Sequence, residues 1–272
     1  RDLVFFCGYT SREWDPEGAR KEGIGGSEEA IIWLAKGLHD RGWNVTVYNN
    51  CGHKHSNHDG VAYKPYWTWN YRDKQDVTVL WRSVKGCDYE INSNKIYIDL
   101  HDVIQEGEFT KERLKKINKI FVKSNFHRSL FPKVDGSKFV VCPNGIDSTV
   151  FSEDPVKDRF LLINTSSPDR SLKKTVELFK RVKKEVPEAK LNWAYGFGVF
   201  DVVHGNNPGI MSWKDGILKE MEETDGIENL GRISHEEVAN LYKKAKVFFY
   251  PTEFAEIDCI SLTKAMASNA IP

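Results

Sequence analysis

"RFLLINTSSPDRSLKKTVELFKRVKKEVP", residues 159–187, decides how this chain divides. Its first apolar run reads as a buried strand, Ser-Pro-Asp as a turn, and the remainder as a strongly amphipathic helix. A fresh strand–helix series thus begins near residue 153. It continues through "KLNWAYGF", a strand, and "SHEEVANLYKKA", a helix opened by a Ser234–Glu237 capping box. "KVFFYPTE" is again a strand and "CISLTKAMA" a short helix.

Upstream lies an earlier series of the same kind. "LVFFCGY" reads as a buried strand, followed by a long polar loop over residues 10–25. "GGSEEAIIWLAKGLHDRG" then has helical spacing, with Ile31, Leu34, Ala35 and Leu38 on one face and Gly42 as the stop. "NVTVYNN", "DVTVLWR", "KIYIDLHD", "KIFVKS" and "KFVVCPNG" are further strands. Strands alternating with helices predict parallel sheets covered on both faces. The fold class expected is α/β, with two Rossmann-like domains facing across a cleft, residues 1–153 and 154–272. The second is the shorter, and "NAIP" reads as the start of a further strand, so an incomplete second domain is expected.

At 272 residues, two domains of ordinary size fit. Lys+Arg and Asp+Glu number 39 each, so no global field recruits nucleic acid or an anionic membrane. No apolar run reaches membrane-spanning length. The five cysteines are odd in number and scattered, which is reducing-compartment usage and predicts a cytoplasmic protein without disulfides.

Several short stretches carry possible chemistry. "KEGIGGSEEA" sets Gly25, Gly26 and Ser27 at a loop-to-helix junction, where N–H groups approach a phosphate or a sugar hydroxyl; equally, the glycines only feed the helix. "YIDLHDV" ends a strand with His101 and Asp102, at the edge where ligands of parallel sheets gather, or where a histidine simply caps the strand. "CGHKHSNH" holds Cys51, His53, His55 and His58 without a completing metal-ligand spacing, and reads as a solvated loop. Arg170 of "SSPDRSLKK" sits where a guanidinium forks onto a diphosphate, or pairs with Asp169 at the surface. Glu256 precedes a helix whose first N–H groups, those of Cys259, Ile260 and Ser261, form an anion site.

Together "GGSEEA", "LHD", "PNGID", "SSPDRSL" and "EIDCISLTKAMA" stand in the order found in GT-B fold glycosyltransferases, and the chain resembles the retaining family 4 over nearly its whole length. The resemblance implies a retaining, hexosyltransferase-like enzyme that needs neither metal nor cofactor. Its donor would be a nucleotide-sugar and its acceptor a glycan, lipid-linked or protein hydroxyl. Gly25 and Gly26 match the glycine loop near diphosphate and acceptor, His101 the histidine beside the transferred sugar, and Glu256 the first glutamate of E-x7-E. Two positions depart from the family. Thr165 stands where an arginine is usual, with Arg170-Ser171 in place of Lys-Gly, and Lys264 replaces the second glutamate. The two changes are read as linked, Lys264 restoring positive charge at the nucleotide end, against a lysine whose stem packs on the surface with its ammonium in water. The other readings are a non-catalytic sugar-nucleotide or glycan-binding module and a GT-B sugar-nucleotide epimerase.

Overall fold

The computed structural model describes residues 1–151 and 156–272; the domain boundary expected at 153–154 lies outside the described residues. Two compact units form, residues 1–17 with 24–145, and residues 18–23 with 146–272.

The first unit is built on an eight-stranded sheet. Its elements are β1 (Asp2–Phe6), α1 (Pro16–Glu22, most of which groups with the second unit), α2 (Gly26–His39), β2 (Asn44–Asn49), β3 (Ser56–His58), β4 (Val61–Pro65), β5 (Gln75–Trp81), β6 (Ser93–Asp99), α3 (Lys111–Lys116), β7 (Lys119–Val122), α4 (Asn125–Ser129) and β8 (Phe139–Val141). Strand order is β3-β4-β2-β1-β5-β6-β7-β8, all parallel except the edge strand β3. β1 is apolar at Leu3, Val4 and Phe5 in succession because it sits mid-sheet, and all three are buried. A continuous core of Leu80, Ile98, Leu100, Ile120, Val122 and Phe131 lies under β5 to β7.

The second unit carries β9 (Asp158–Asn164), α5 (Leu172–Glu185), β10 (Lys190–Trp193), α6 (Gly198–His204), α7 (Pro208–Glu222), β11 (Ile227–Asn229), α8 (His235–Lys244), β12 (Ala245–Phe248) and α9 (Ile260–Ala267). Its parallel sheet runs β11-β10-β9-β12, and Ile271 adds a parallel bridge to Val247. α5 seats Leu172, Thr175, Val176 and Phe179 in the core, one helical face at spacings of three and four. The Ser234–Glu237 capping box is present at the start of α8, with both reciprocal bonds formed. Among the described residues, no helix is long and apolar enough to cross a membrane.

Four local expectations are corrected. The loop expected over residues 10–25 contains α1, and Trp14 just ahead of it is buried, its ring close to Tyr63 and Trp81. The segment looked polar because α1 is too short to show an apolar repeat. Its following Gly23 has φ of +67°, and a Cβ there would stand 2.6 Å from the Ile233 carbonyl, so only glycine fits. On α2, Leu34 is 42% exposed while Ala30 and Ile32 are buried beside Ile31 and Ala35, since the helix lies across β2 and β4 and rotates that stripe inward. "CGHKHSNH" is not all loop: its end forms β3, and His58 packs on Tyr63 and stands 3.9 Å from Asp15. "KLNWAYGF" is strand only to Trp193, after which Gly196 turns the chain with φ of +75°.

Candidate functional site

In an open parallel sheet, a crevice opens where successive connections leave on opposite sides. The first sheet reverses between β1 and β5, and the second between β9 and β12. Each reversal collects ionisable side chains at the carboxyl ends of its strands.

In the first unit they come from β5, β6 and β7. Asp99, the last residue of β6, pairs through Oδ2 with His101 Nε2 at 3.0 Å and accepts through Oδ1 from Lys123 Nζ at 2.6 Å. All three side chains are 2–5% exposed, so this is a buried network. Burial works to raise the Asp99 carboxyl, but the bond from His101 and the charges of His101 and Lys123 outweigh it and hold it below the usual carboxylate range. His127, the buried residue of α4, accepts at Nδ1 from the Lys123 backbone N–H at 3.2 Å. Trp81 lies tilted against the His101 ring, with centroids 5.9 Å apart.

Arg82 follows β5 with φ of +65° and grips Asp102 with two N–H groups, one of them Nη2 at 2.8 Å from Oδ1. Its guanidinium also lies over the Trp81 ring and 3.5 Å from Glu28. Glu28, in the first turn of α2, folds back on Gly25, where a Cβ would stand 2.3 Å from its carboxylate. Glycine at 25 therefore leaves room for the helix's own carboxylate. An anion approaching this N-terminus meets Glu28 as well as Arg82.

In the second unit Arg170 lies in the turn after β9, and Glu256 in the loop after β12. Arg170 Nη1 is 3.5 Å from Glu256 Oε1, its Nε 3.4 Å from Asp169, and its guanidinium stacks 3.2 Å from the centroid of the Phe254 ring. Both readings of Arg170 are thus present together: it pairs with Asp169 and also reaches the glutamate. Tyr250 donates its hydroxyl to Glu256 at 2.5 Å, and burial with that carboxylate raises the phenol well above its ordinary value. These side chains are less enclosed, at 31% and 27% exposure for Arg170 and Glu256.

Helix α9 starts beside them without a side-chain cap at Cys259. Burial pushes the Cys259 thiol up to about 11, with the facing N–H groups of Leu262 and Ser261 partly offsetting the rise. Ile260 and Ser261 form the first turn, and Lys264, one turn on, is half-buried. Thr165 is buried, its hydroxyl hydrogen-bonded to that of Tyr242. Ser171, where the resemblance expects glycine, adopts φ of +76° and ψ of 32°, the left-handed conformation glycine favours.

Sequence reading missed Asp99, Lys123, Arg82 and Glu28 in the first unit, and Tyr250 and Phe254 in the second. Asp99 and Lys123 carried a signal, each being an ionisable residue closing an apolar strand. Among the described residues no three of His, Cys, Asp and Glu are grouped to hold a metal ion.

With this geometry established, known structures can be compared. The chain is similar to Anabaena HepE in complex with UDP-glucose, with TM-score 0.68 and 13% identity over 99% of this chain and 79% of that one. It is similar to a glycosyltransferase from Rickettsia africae, with TM-score 0.67 and 14% identity over 99% and 77%. AviGT4, a glycosyltransferase involved in avilamycin A biosynthesis, gives TM-score 0.65 and 14% identity over 99% and 77%. The fold is GT-B. No protein-family model and no curated protein matches the sequence.

Proposed function

We propose that this chain is a glycosyltransferase that takes a sugar from a nucleotide donor, a UDP-sugar in the first instance. It passes the sugar to a glycan, lipid-linked or protein hydroxyl, with retention, without a metal ion and in a reducing compartment. One observation carries the reading: the reversal point of the second sheet gathers Arg170, Glu256 and the uncapped start of α9. The fold is shared with a structure that holds UDP-glucose, which supports the same donor class.

In the transfer the bond from sugar C1 to the diphosphate oxygen breaks, and the electron pair leaves with the diphosphate. The acceptor oxygen bonds C1 on the same face, and its proton passes to the departing phosphate. Arg170 and the N–H groups of Ile260 and Ser261 stabilise the leaving charge as preorganised donors. Glu256 accepts sugar hydroxyls, and His101 takes one on the first unit's side; Gly25 and Gly26 let the acceptor's oxygens come close to backbone. Lys264 adds positive charge at the nucleotide end, since Thr165 is committed to Tyr242 and supplies none.

Thermal-shift screening with UDP-, GDP- and ADP-sugars tests the donor, a ligand at ~100 times its Kd adding about 2.7 kcal/mol. Product anomers read by NMR, with and without a chelator, then test retention and metal independence. Glu256→Gln swaps an acceptor pair for one acceptor and one donor, and transfer is expected to collapse in a folded protein. Parental transfer by Glu256→Gln, or no stabilisation by any sugar nucleotide, refutes the proposal.

A further inference from the structure

The buried group at the end of β6 and β7 determines more than the presence of a histidine. Side chains alternate along a strand, so Asp99 and His101 point to one side. β7 pairs in register with Asp99 opposite Phe121, which brings Lys123, two residues on, to that same side. Lysine offers only donors, so the Asp99 oxygen 2.6 Å from its ammonium acts as an acceptor and the carboxyl is ionised. The other oxygen, 3.0 Å from His101 Nε2, is then also an acceptor, and Nε2 carries the proton. In a neutral imidazole the remaining nitrogen, Nδ1, has the open lone pair.

We infer that Asp99 and Lys123 are positioning residues that fix His101 as the Nε2–H tautomer and present Nδ1 as an acceptor for a substrate hydroxyl. Asp99 selects the tautomer. Lys123 balances the charge of Asp99, so that the carboxylate does not hold His101 as an imidazolium, which would have no acceptor at all. Trp81 limits the tilt of the ring. The other ionisable groups at this end of the sheet are Arg82 with Asp102 and Glu28, Cys7, and His127.

The substrate's identity as a sugar rests on the function proposed above, but the tautomer does not. Long-range nitrogen–proton NMR on the full chain, labelled at histidine and assigned with His101→Gln, reads the ring directly at about pH 8, where an ordinary imidazole is neutral. The parent is expected to show Nε2–H. In Asp99→Asn, Lys123 claims the single amide oxygen, the amide NH2 faces Nε2, and the signature should reverse to Nδ1–H. In Lys123→Met the carboxylate pairs with His101 alone, so the imidazolium should persist to higher pH; this variant strands no buried cation and decides the matter if Asp99→Asn does not fold. With a donor that is turned over, both variants should lose about 10-fold or more in kcat while KM for the sugar nucleotide stays within about twofold. An Nδ1–H signature in the parent, or parental spectra in Lys123→Met, overturns the inference. A parent with the expected tautomer but no sugar transfer would overturn the proposed function and leave this assignment standing.

Discussion

The two reversal points hold similar residues in unlike states. In the first unit, Lys123, Asp99 and His101 are enclosed and joined at 2.6 and 3.0 Å. In the second, Arg170 and Glu256 are about a third open to solvent and 3.5 Å apart, with Phe254 and Tyr250 taking up much of their surface. A charge removed from water must be paired almost perfectly, so the first arrangement is bound up with folding. A guanidinium resting on an aromatic face loses little when it turns toward an incoming anion. The first site is therefore built to hold one geometry, and the second to exchange partners.

The largest effect should come from stranding a charge in the enclosed site. Lys123→Ala leaves Asp99 without its cation and is expected to cost about 3–5 kcal/mol in urea unfolding. Equal stability to the parent would erase the contrast between the two regions. Acid probes the same network. Because the folded-state pKa of Asp99 is lowered, its contribution is fully present above the unfolded carboxylate value, about 3.9, and is lost as pH falls through the lower folded value. The unfolded chain binds the extra proton, so stability should drop on acidification in that window, and less steeply in Asp99→Asn.

Thr165→Val takes a partner from the buried Tyr242 hydroxyl and should cost about 1–2 kcal/mol in thermal melts, without bringing a charge toward the nucleotide end. Arg170→Ala should change stability by only about 1 kcal/mol, since a half-exposed ion pair and ring stack contribute little, while calorimetry shows UDP binding weakened by far more. Comparable losses in both would make Arg170 structural, like Lys123. Ser171→Gly should have the smallest effect. Release from the left-handed conformation gains about 1 kcal/mol, and loss of the Ser171 hydroxyl as acceptor for the Glu253 N–H, 3.3 Å away, takes back a similar amount. A shift well above 1 kcal/mol either way would mean that turn does more than position Arg170.

Much of this was legible in the chain of letters. The restart at "RFLLINTSS" announced a second parallel sheet, because a buried strand followed by an amphipathic helix is a local pattern. The capping box at Ser234 is also local, and was visible for that reason. α1 and β3 were not, being too short to show a period, and α2 was read one face out of place because two strands, not one, lie beneath it.

The candidate residues divide along the same line. Glu256, Arg170 and the start of α9 could be named from spacing alone, since a carboxylate or cation in a strand-to-helix loop needs only its neighbours to place it. Which of them meet was settled by strand order: β12 lies beside β9, although 80 residues separate Asn164 from Ala245, and this brings Arg170 to Glu256. Lys123 and Asp99 likewise pair because β7 is hydrogen-bonded to β6 in one register. Sequence determined the kinds of side chain at each strand end through local periodicity. Partnership was decided by the long-range pairing of strands, where a shift of one residue would send every one of these side chains to the opposite face.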